Sequence, residues 1–154
     1  MIRPATEADI PLMTALADVK RAEYEAYAPT FWRRAEDAVQ KQAAYFRAQL
    51  ADKDTICLVS ENEGRLDGFL IARIVTAPPV YDPGTLVCMV DDFAVATPDQ
   101  WESIGKPLLH HVRSLAQSRG AGLAVVVCGH LDEAKREMLR ASGFYIASEW
   151  YVSP

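Results

Sequence analysis

A chain of 154 residues has the length of one domain with a substantial core, and 50% hydrophobic with 24% charged residues is the composition of an ordinary globular protein. A net charge of -5 repels a phosphate backbone, and Lys and Arg form no stripe, since Arg33-Arg34 is followed by Glu36-Asp37; no nucleic-acid partner is expected, and an amine substrate is mildly favoured. No apolar run nears the ~20 residues that span a bilayer, Met1 leads into Ile2-Arg3-Pro4 without a secretory leader, and Cys57, Cys88 and Cys128 lack metal-ligand or disulfide spacing; the expected setting is the reducing cytoplasm, with no membrane and no metal.

Ile2-Arg3 reads as the end of a short first strand. Thr6-Glu7-Ala8-Asp9 reads as a helix start, with Thr6 as cap and Asp9 reaching back. Ile10, Leu12, Met13, Leu16 and Val19 continue at helical spacing. A second helix is expected over 31–50, with Val39, Ala43, Phe46 and Leu50 on its core face, and an aromatic segment from Tyr24 to Trp32 lies between the two.

The period then changes. Thr55 to Ser60 is β-branched and apolar, Glu61-Asn62-Glu63-Gly64 is a turn, and 66–75 returns as the second arm of a hairpin. Pro78, Pro79 and Pro83 keep 76–84 out of any ladder. A long strand follows over 86–95. Leu108, Leu109, Val112, Leu115 and Ala116 mark a helix that Gly120 stops. Leu123 to Cys128 is the continuous apolar run of a strand covered on both faces. A last helix spans 132–142, and 144–152 is expected to be a closing strand. The order β-α-α-β-β-β-α-β-α-β, with hairpins before a β-α-β crossover, indicates one domain over 1–154, of α/β or α+β layer class, with a mixed and mostly antiparallel sheet flanked by helices.

The segment from Asp92 to Leu109 ends a strand, makes a short polar turn and starts an amphipathic helix. Such a junction aims unpaired backbone N–H groups and the positive helix end at one point, which suits a phosphate or pyrophosphate. Ser103 and Gly105 are small enough for close approach. By spacing alone an ordinary capped helix fits as well. Neither G-x-x-x-x-G-K-[ST] nor G-x-G-x-x-G is present.

Gln100-Trp101-Glu102-Ser103-Ile104-Gly105, followed by Leu108-Leu109, resembles the coenzyme A motif [Q/R]-x-x-G-x-[G/A] of the GNAT (Gcn5-related N-acetyltransferase) superfamily. The opening from Ile2 to Ile10 looks like that family's first strand and first helix, Leu66 to Ala72 like its third strand, and Ala141-Ser142-Gly143-Phe144 like its last helix-to-strand joint. The resemblance implies acetyl-CoA as cofactor and direct transfer of acetyl to an amine, in a GNAT-like sheet whose parallel strands splay at the cofactor site. Phe93, Ala94 and Val95 would face the pantetheine arm, and N–H groups from Trp101 to Lys106 would hold the pyrophosphate. Ser103 stands where the motif has its first glycine, and Pro107 places the start of the regular helix near Lys106.

Transfer to an amine needs a proton acceptor and a donor for the leaving thiolate. Asp91-Asp92 interrupts the apolar strand and is the clearest candidate base; alternation puts the two carboxylates on opposite faces, and burial would raise the pKa of the one in the cleft. The alternative is a strand-end aspartate bonded to a nearby loop. The family's tyrosine acid would fall at Met138 or Leu139, so the usual acid is absent. Cys128 and His130 near the expected site allow a nucleophile-and-base reading, against which Cys128 reads as an inert core residue and His130 as a helix-entry residue; His130 is also a candidate substrate contact. Tyr24, Tyr27 and Tyr81 are candidates for the acceptor pocket, with Phe31 and Trp32 assigned to the core. The competing function is a catalytically impaired CoA-binding or regulatory module. A homodimer through the final strand is in keeping with the family.

Overall fold

The computed structural model describes residues 1–154. The chain opens with strand β1 (Ile2–Pro4), helix α1 (Ile10–Tyr27) and helix α2 (Ala38–Ala51). Three strands follow, β2 (Thr55–Asn62), β3 (Arg65–Val75) and β4 (Leu86–Val95). Helix α3 (Lys106–Ser118), strand β5 (Ala121–Val126) and helix α4 (Glu133–Ala141) complete the order. The five strands form one sheet in the order β1-β2-β3-β4-β5. The first three pairings are antiparallel, and β4 with β5 is parallel.

Local chemistry explains the element boundaries. The expected cap at Thr6 forms: its N–H and hydroxyl both donate to Asp9 Oδ2, at 2.7 and 2.9 Å. Arg3 closes the same carboxylate with two bonds of 2.8 Å and reaches Glu61 with its Nε, tying β1 to the helix start and to β2. The β2–β3 hairpin turns on Glu63 (φ 50°) and Gly64 (φ 76°), the left-handed pair that a tight two-residue connection requires.

Period two distributes the strand residues onto two cores. Leu58, Leu70, Val90 and Phe93 pack under α3 and α4 with Leu108 and Val112. Val59, Phe69, Ile71 and Ala94 pack under α1 and α2 with Met13 and Phe46. Each fully buried side chain of this kind contributes roughly 1.5–3 kcal/mol of transfer free energy. The Phe46 and Phe69 rings meet edge to face at 5.4 Å.

Four expectations are corrected. The first helix runs on to Tyr27, so Tyr24 and Tyr27 sit on its last turns, not between helices. The second helix starts at Ala38, which leaves Phe31 outside it and 43% exposed instead of in the core. The closing strand over 144–152 does not form. Gly143 (φ 84°) turns the chain out of α4, Phe144 N–H bonds Leu139 O at 3.0 Å, and Tyr145, Ile146, Trp150, Tyr151 and Val152 stay exposed. Alternation reports which faces side chains take, whereas a strand exists only where another backbone edge accepts its ladder bonds. For the same reason β5 is an edge strand with Leu123 exposed, not a strand covered on both faces.

Candidate active site

The β3–β4 ladder skips a residue at the aspartate pair. Ala72 pairs with Val90 and Ile71 with Asp92, so Asp91 is the extra residue of a β-bulge. The bulge cancels the alternation that would send the two carboxylates to opposite faces. Asp92 accepts from Gln42 Nε2 of α2 at 3.3 Å, and both aspartates push up the pKa of the Tyr45 phenol, itself raised chiefly by burial. Gln42 in turn accepts from Arg21 Nη1 at 2.8 Å, which fixes the orientation of the amide between α1 and β4. Burial raises the pKa of both carboxyls; Asp91 adds to the effect on Asp92, while Lys135, Gln42 and Arg21 oppose it.

The bulge lies where β4 and β5 part. Val90 with Val126 is their last paired position, and Val127 N–H to Val90 O at 3.2 Å is the last backbone bond between the two segments. Beyond it, Lys135 of α4 enters the opening. Its Nζ donates to Val127 O at 2.9 Å and to Phe93 O at 3.4 Å, bridging the separated backbones. The ammonium also lies 5.2 Å from the Phe93 ring centre and 5.3 Å from that of Trp101. Lys135 is 3% exposed, and burial lowers its pKa against the opposing fields of Cys128, Asp132 and Asp92. Its position was readable in principle: Lys135, Met138 and Leu139 follow i, i+3, i+4 on the buried stripe of α4.

A second buried carboxylate fastens the rim. Asp132 Oδ2 accepts from the Tyr24 hydroxyl at 3.0 Å and from Lys20 Nζ at 3.3 Å, while its Oδ1 accepts Lys135 N–H at 3.4 Å as the cap of α4. Tyr24 thus joins α1 to the loop before α4, and burial with the nearby Asp132 charge raises its pKa.

After β4 the chain is helical from Pro98 onward. Residues Pro98–Gln100 form a 3₁₀ turn and Trp101–Gly105 a π turn that runs into α3 at Lys106, where Pro107 had placed the start of the regular helix. Trp101 N–H bonds Pro98 O, Lys106 N–H bonds Trp101 O, and no residue of the turn has positive φ. Gln100 accepts the Thr97 N–H with its side chain, and Lys106 pairs with Glu102. Ser103 is exposed and Ile104 half-buried. Trp101 is buried against Gly105, and its indole N–H has no acceptor.

Not every candidate reaches this site. Tyr24 lines it, with Tyr27 5.7 Å and Trp32 5.4 Å away between ring centres. Tyr81 lies apart, beside a cavity of about 450 Å³ with Val87, Met89, Leu123 and Val125. His130 is exposed, and its carbonyl accepts from Arg136 Nη1 at 2.7 Å. Burial raises the Cys128 thiol, its Sγ hydrogen-bonds only to backbone oxygens, and the residue packs against the apolar core, so no nucleophile-and-base pair with His130 is assembled. No cluster of three or more His, Cys, Asp or Glu with metal-binding geometry exists.

No family model matches the chain, and no curated protein matches it by sequence. Solved structures match it over its whole length. A mutant protein from Bacillus halodurans aligns with TM-score 0.88 at 15% identity, covering 100% of this chain and 98% of that one. A predicted acetyltransferase from Clostridium acetobutylicum, solved with acetyl-CoA, aligns with TM-score 0.77 at 17% identity, covering 100% and 95%. An aminoglycoside 6'-N-acetyltransferase from Acinetobacter haemolyticus aligns with TM-score 0.73 at 17% identity, covering 100% and 97%. The chain has the GNAT fold. Within that GNAT architecture the bulged β4, with Asp91 exposed and Asp92 half-buried, lies next to the opening between β4 and β5 that the buried Lys135 bridges. Fold by itself does not carry an activity; the chemistry resides in these residues.

Proposed function

We propose that the chain, acting as one domain, is an acetyl-CoA-dependent N-acetyltransferase that moves an acetyl group directly to an amine. The observation that carries this reading is the bulged strand: it brings Asp91 and Asp92, both with raised pKa, to the mouth of the opening between β4 and β5. A carboxylate of raised pKa is a better proton acceptor near neutral pH than an ordinary one. Asp92, held by Gln42, is the better placed base, and Asp91 supports it.

Two features support seating the thioester end of acetyl-CoA here. The edge of β4 beyond Val90 has no β5 partner, and the orphan Trp101 indole N–H offers a donor that a ligand carbonyl would satisfy. Phe93, Ala94 and Val95 would line the arm. The pyrophosphate end differs from the resemblance, because the Trp101 and Lys106 N–H groups are already bonded within the turn. The exposed stretch of the turn around Glu102 and Ser103 is where the pyrophosphate would then have to lie. Bound acetyl-CoA would supply the activated acyl group; the protein supplies base, orientation and exclusion of water.

The helical turn and the buried Lys135 favour one second reading, a CoA-binding or regulatory module with impaired turnover. Calorimetric titration with acetyl-CoA, beside Ser103→Glu, tests the first step. Saturable binding weakened about tenfold or more by the added charge supports cofactor placement at the turn; absence of binding to wild type rules out the transferase reading. Turnover with a panel of small and peptide amines then separates enzyme from impaired module.

Aminoglycoside acetyltransferases among the similar folds make small-molecule amines the first acceptors to try. Tyr24 and Tyr27 are proposed to line that pocket; Tyr81 and His130 belong to it only if the acceptor is extended. The three free thiols suit a reducing cytoplasm. A homodimer is also part of this proposal: the exposed segment 145–152 of one copy would pair with the open edge of β5 in a second. Sedimentation of the full chain and of a variant ending at Phe144 should give dimer and monomer respectively.

A further inference from the structure

Transfer of an acyl group from sulfur to nitrogen leaves a thiolate, and the apolar Met138 and Leu139 on α4 offer it no proton. One turn earlier on the same helix, Lys135 reaches past them into the opening between β4 and β5. Its Nζ is held at Val127 O and Phe93 O, carbonyls that follow the last bond joining the two strands. Asp92 is bonded to Gln42 of α2 and so lies on the α1–α2 side of the sheet, while Lys135 comes from α4, and each carries the other among its neighbouring charges. A thioester lying between the strands would therefore have a proton acceptor on one side and a proton donor on the other.

We propose that Lys135 is the general acid of this site, its ammonium giving a proton to the sulfur that leaves as the acyl group moves to the acceptor amine. The inference rests on the acetyltransferase reading above. In the balanced step the acceptor nitrogen's lone pair forms the new N–C bond while the C–S bond breaks and leaves its electron pair on sulfur. Lys135 supplies the proton that converts this thiolate to a thiol. Asp92 takes the proton that the acceptor nitrogen loses, and exchange with solvent restores both groups as the products depart. The net change moves one acyl group from S to N and one hydrogen from N to S.

The surroundings suit the role. Charged and titratable groups face Lys135 from each element packed on it: Lys20 from α1, Asp92 from β4, and Cys128 and Asp132 from the loop after β5. Burial and Lys20 favour the neutral amine, and the other three favour the ammonium. An ammonium of lowered pKa lies nearer to the usual thiol value of ~8.5 than an ordinary lysine does, which makes it the stronger acid toward a thiolate.

The test uses free coenzyme A, so it needs no acceptor. Wild type, Lys135→Met and Lys135→Arg would be saturated with coenzyme A, and the bound thiol titrated by its ultraviolet thiolate absorbance and by its alkylation rate with iodoacetamide. A cation in contact with the sulfur should depress the bound thiol's pKa by about one unit or more in wild type, roughly a tenfold gain in thiolate at neutral pH. Lys135→Met should return it to the solution value, and Lys135→Arg should keep the depression. An unchanged thiol pKa in a wild-type protein that binds coenzyme A overturns the role of Lys135 and leaves the transferase reading standing. Failure of wild type to bind overturns both. With a turned-over amine in hand, Lys135→Arg should lower kcat about 100-fold or more at similar KM, because a guanidinium keeps the charge but does not release its proton. An arginine variant of wild-type kcat would reduce Lys135 to an electrostatic contact.

Discussion

Tyr24 and Gly129 interlock. The Gly129 N–H donates to the Tyr24 phenolic oxygen at 2.9 Å, and a Cβ on Gly129 would stand 2.8 Å from the ring Cζ. The contact joins α1 to the loop that carries Asp132 and leads into α4, so it helps to hold Lys135 in register with β4.

Gly129→Ala should therefore lower stability by about 1–3 kcal/mol, the usual cost of forcing an extra carbon into a packed site. Urea denaturation would measure it. Tyr24→Ala, which clears the space, should make the second substitution nearly neutral when the two are combined.

Asp92→Asn should stabilise the fold at neutral pH while abolishing transfer. The folded-state pKa of Asp92 is raised above its unfolded value, so ionisation costs stability as pH rises through that interval. Removing the charge removes the cost. Thermal melting at neutral pH should show a higher Tm for the variant, and the difference should vanish in acid below the ordinary carboxylate range. Acetyl transfer should fall about 100-fold or more. A variant with lower Tm would mean that the carboxylate is an ordinary structural acceptor for Gln42.

The Arg3–Asp9 fork sets the acid limit. Hydrogen bonds from Arg3 lower the Asp9 pKa to about 2, burial opposes them and Thr6 assists. A depressed carboxylate contributes stability above its unfolded value of ~3.9, and that contribution disappears as pH falls toward the folded value. Wild type should thus lose stability between about pH 4 and 2 more steeply than Asp9→Asn. Denaturant titration across that interval would read the two slopes, and equal slopes would contradict the coupling.

A side chain at Gly105 would collide with Trp101. A Cβ there would lie 2.5 Å from Trp101 Cε3, and Trp101 is 2% exposed between Phe93 and the π turn. Gly105→Ala should cost about 1–3 kcal/mol and shift the Trp101 environment, visible as a red shift in tryptophan emission. For that reason Ser103, which is exposed, is the better position for probing cofactor binding.

Much of the fold was written locally. The cap between Thr6 and Asp9, the turn at Glu63-Gly64, the strand over 86–95 and the helix beginning at Lys106 depend on residues within a few positions of one another, and each lies where its residue types place it. The aspartate pair was legible as charge within an apolar strand. Its common orientation was not, because a bulge is a property of the register between β3 and β4 and leaves no period in either sequence. The closing strand failed on the same ground: the pattern over 144–152 names two faces but supplies no partner edge. Lys135 shows the division most clearly. Helical spacing could mark it as inward-facing, but only the separation of β4 from β5 decides what it meets there, two carbonyl oxygens 42 and 8 residues away in the chain. Local propensity determined the elements; long-range pairing decided which of their polar groups share one buried space.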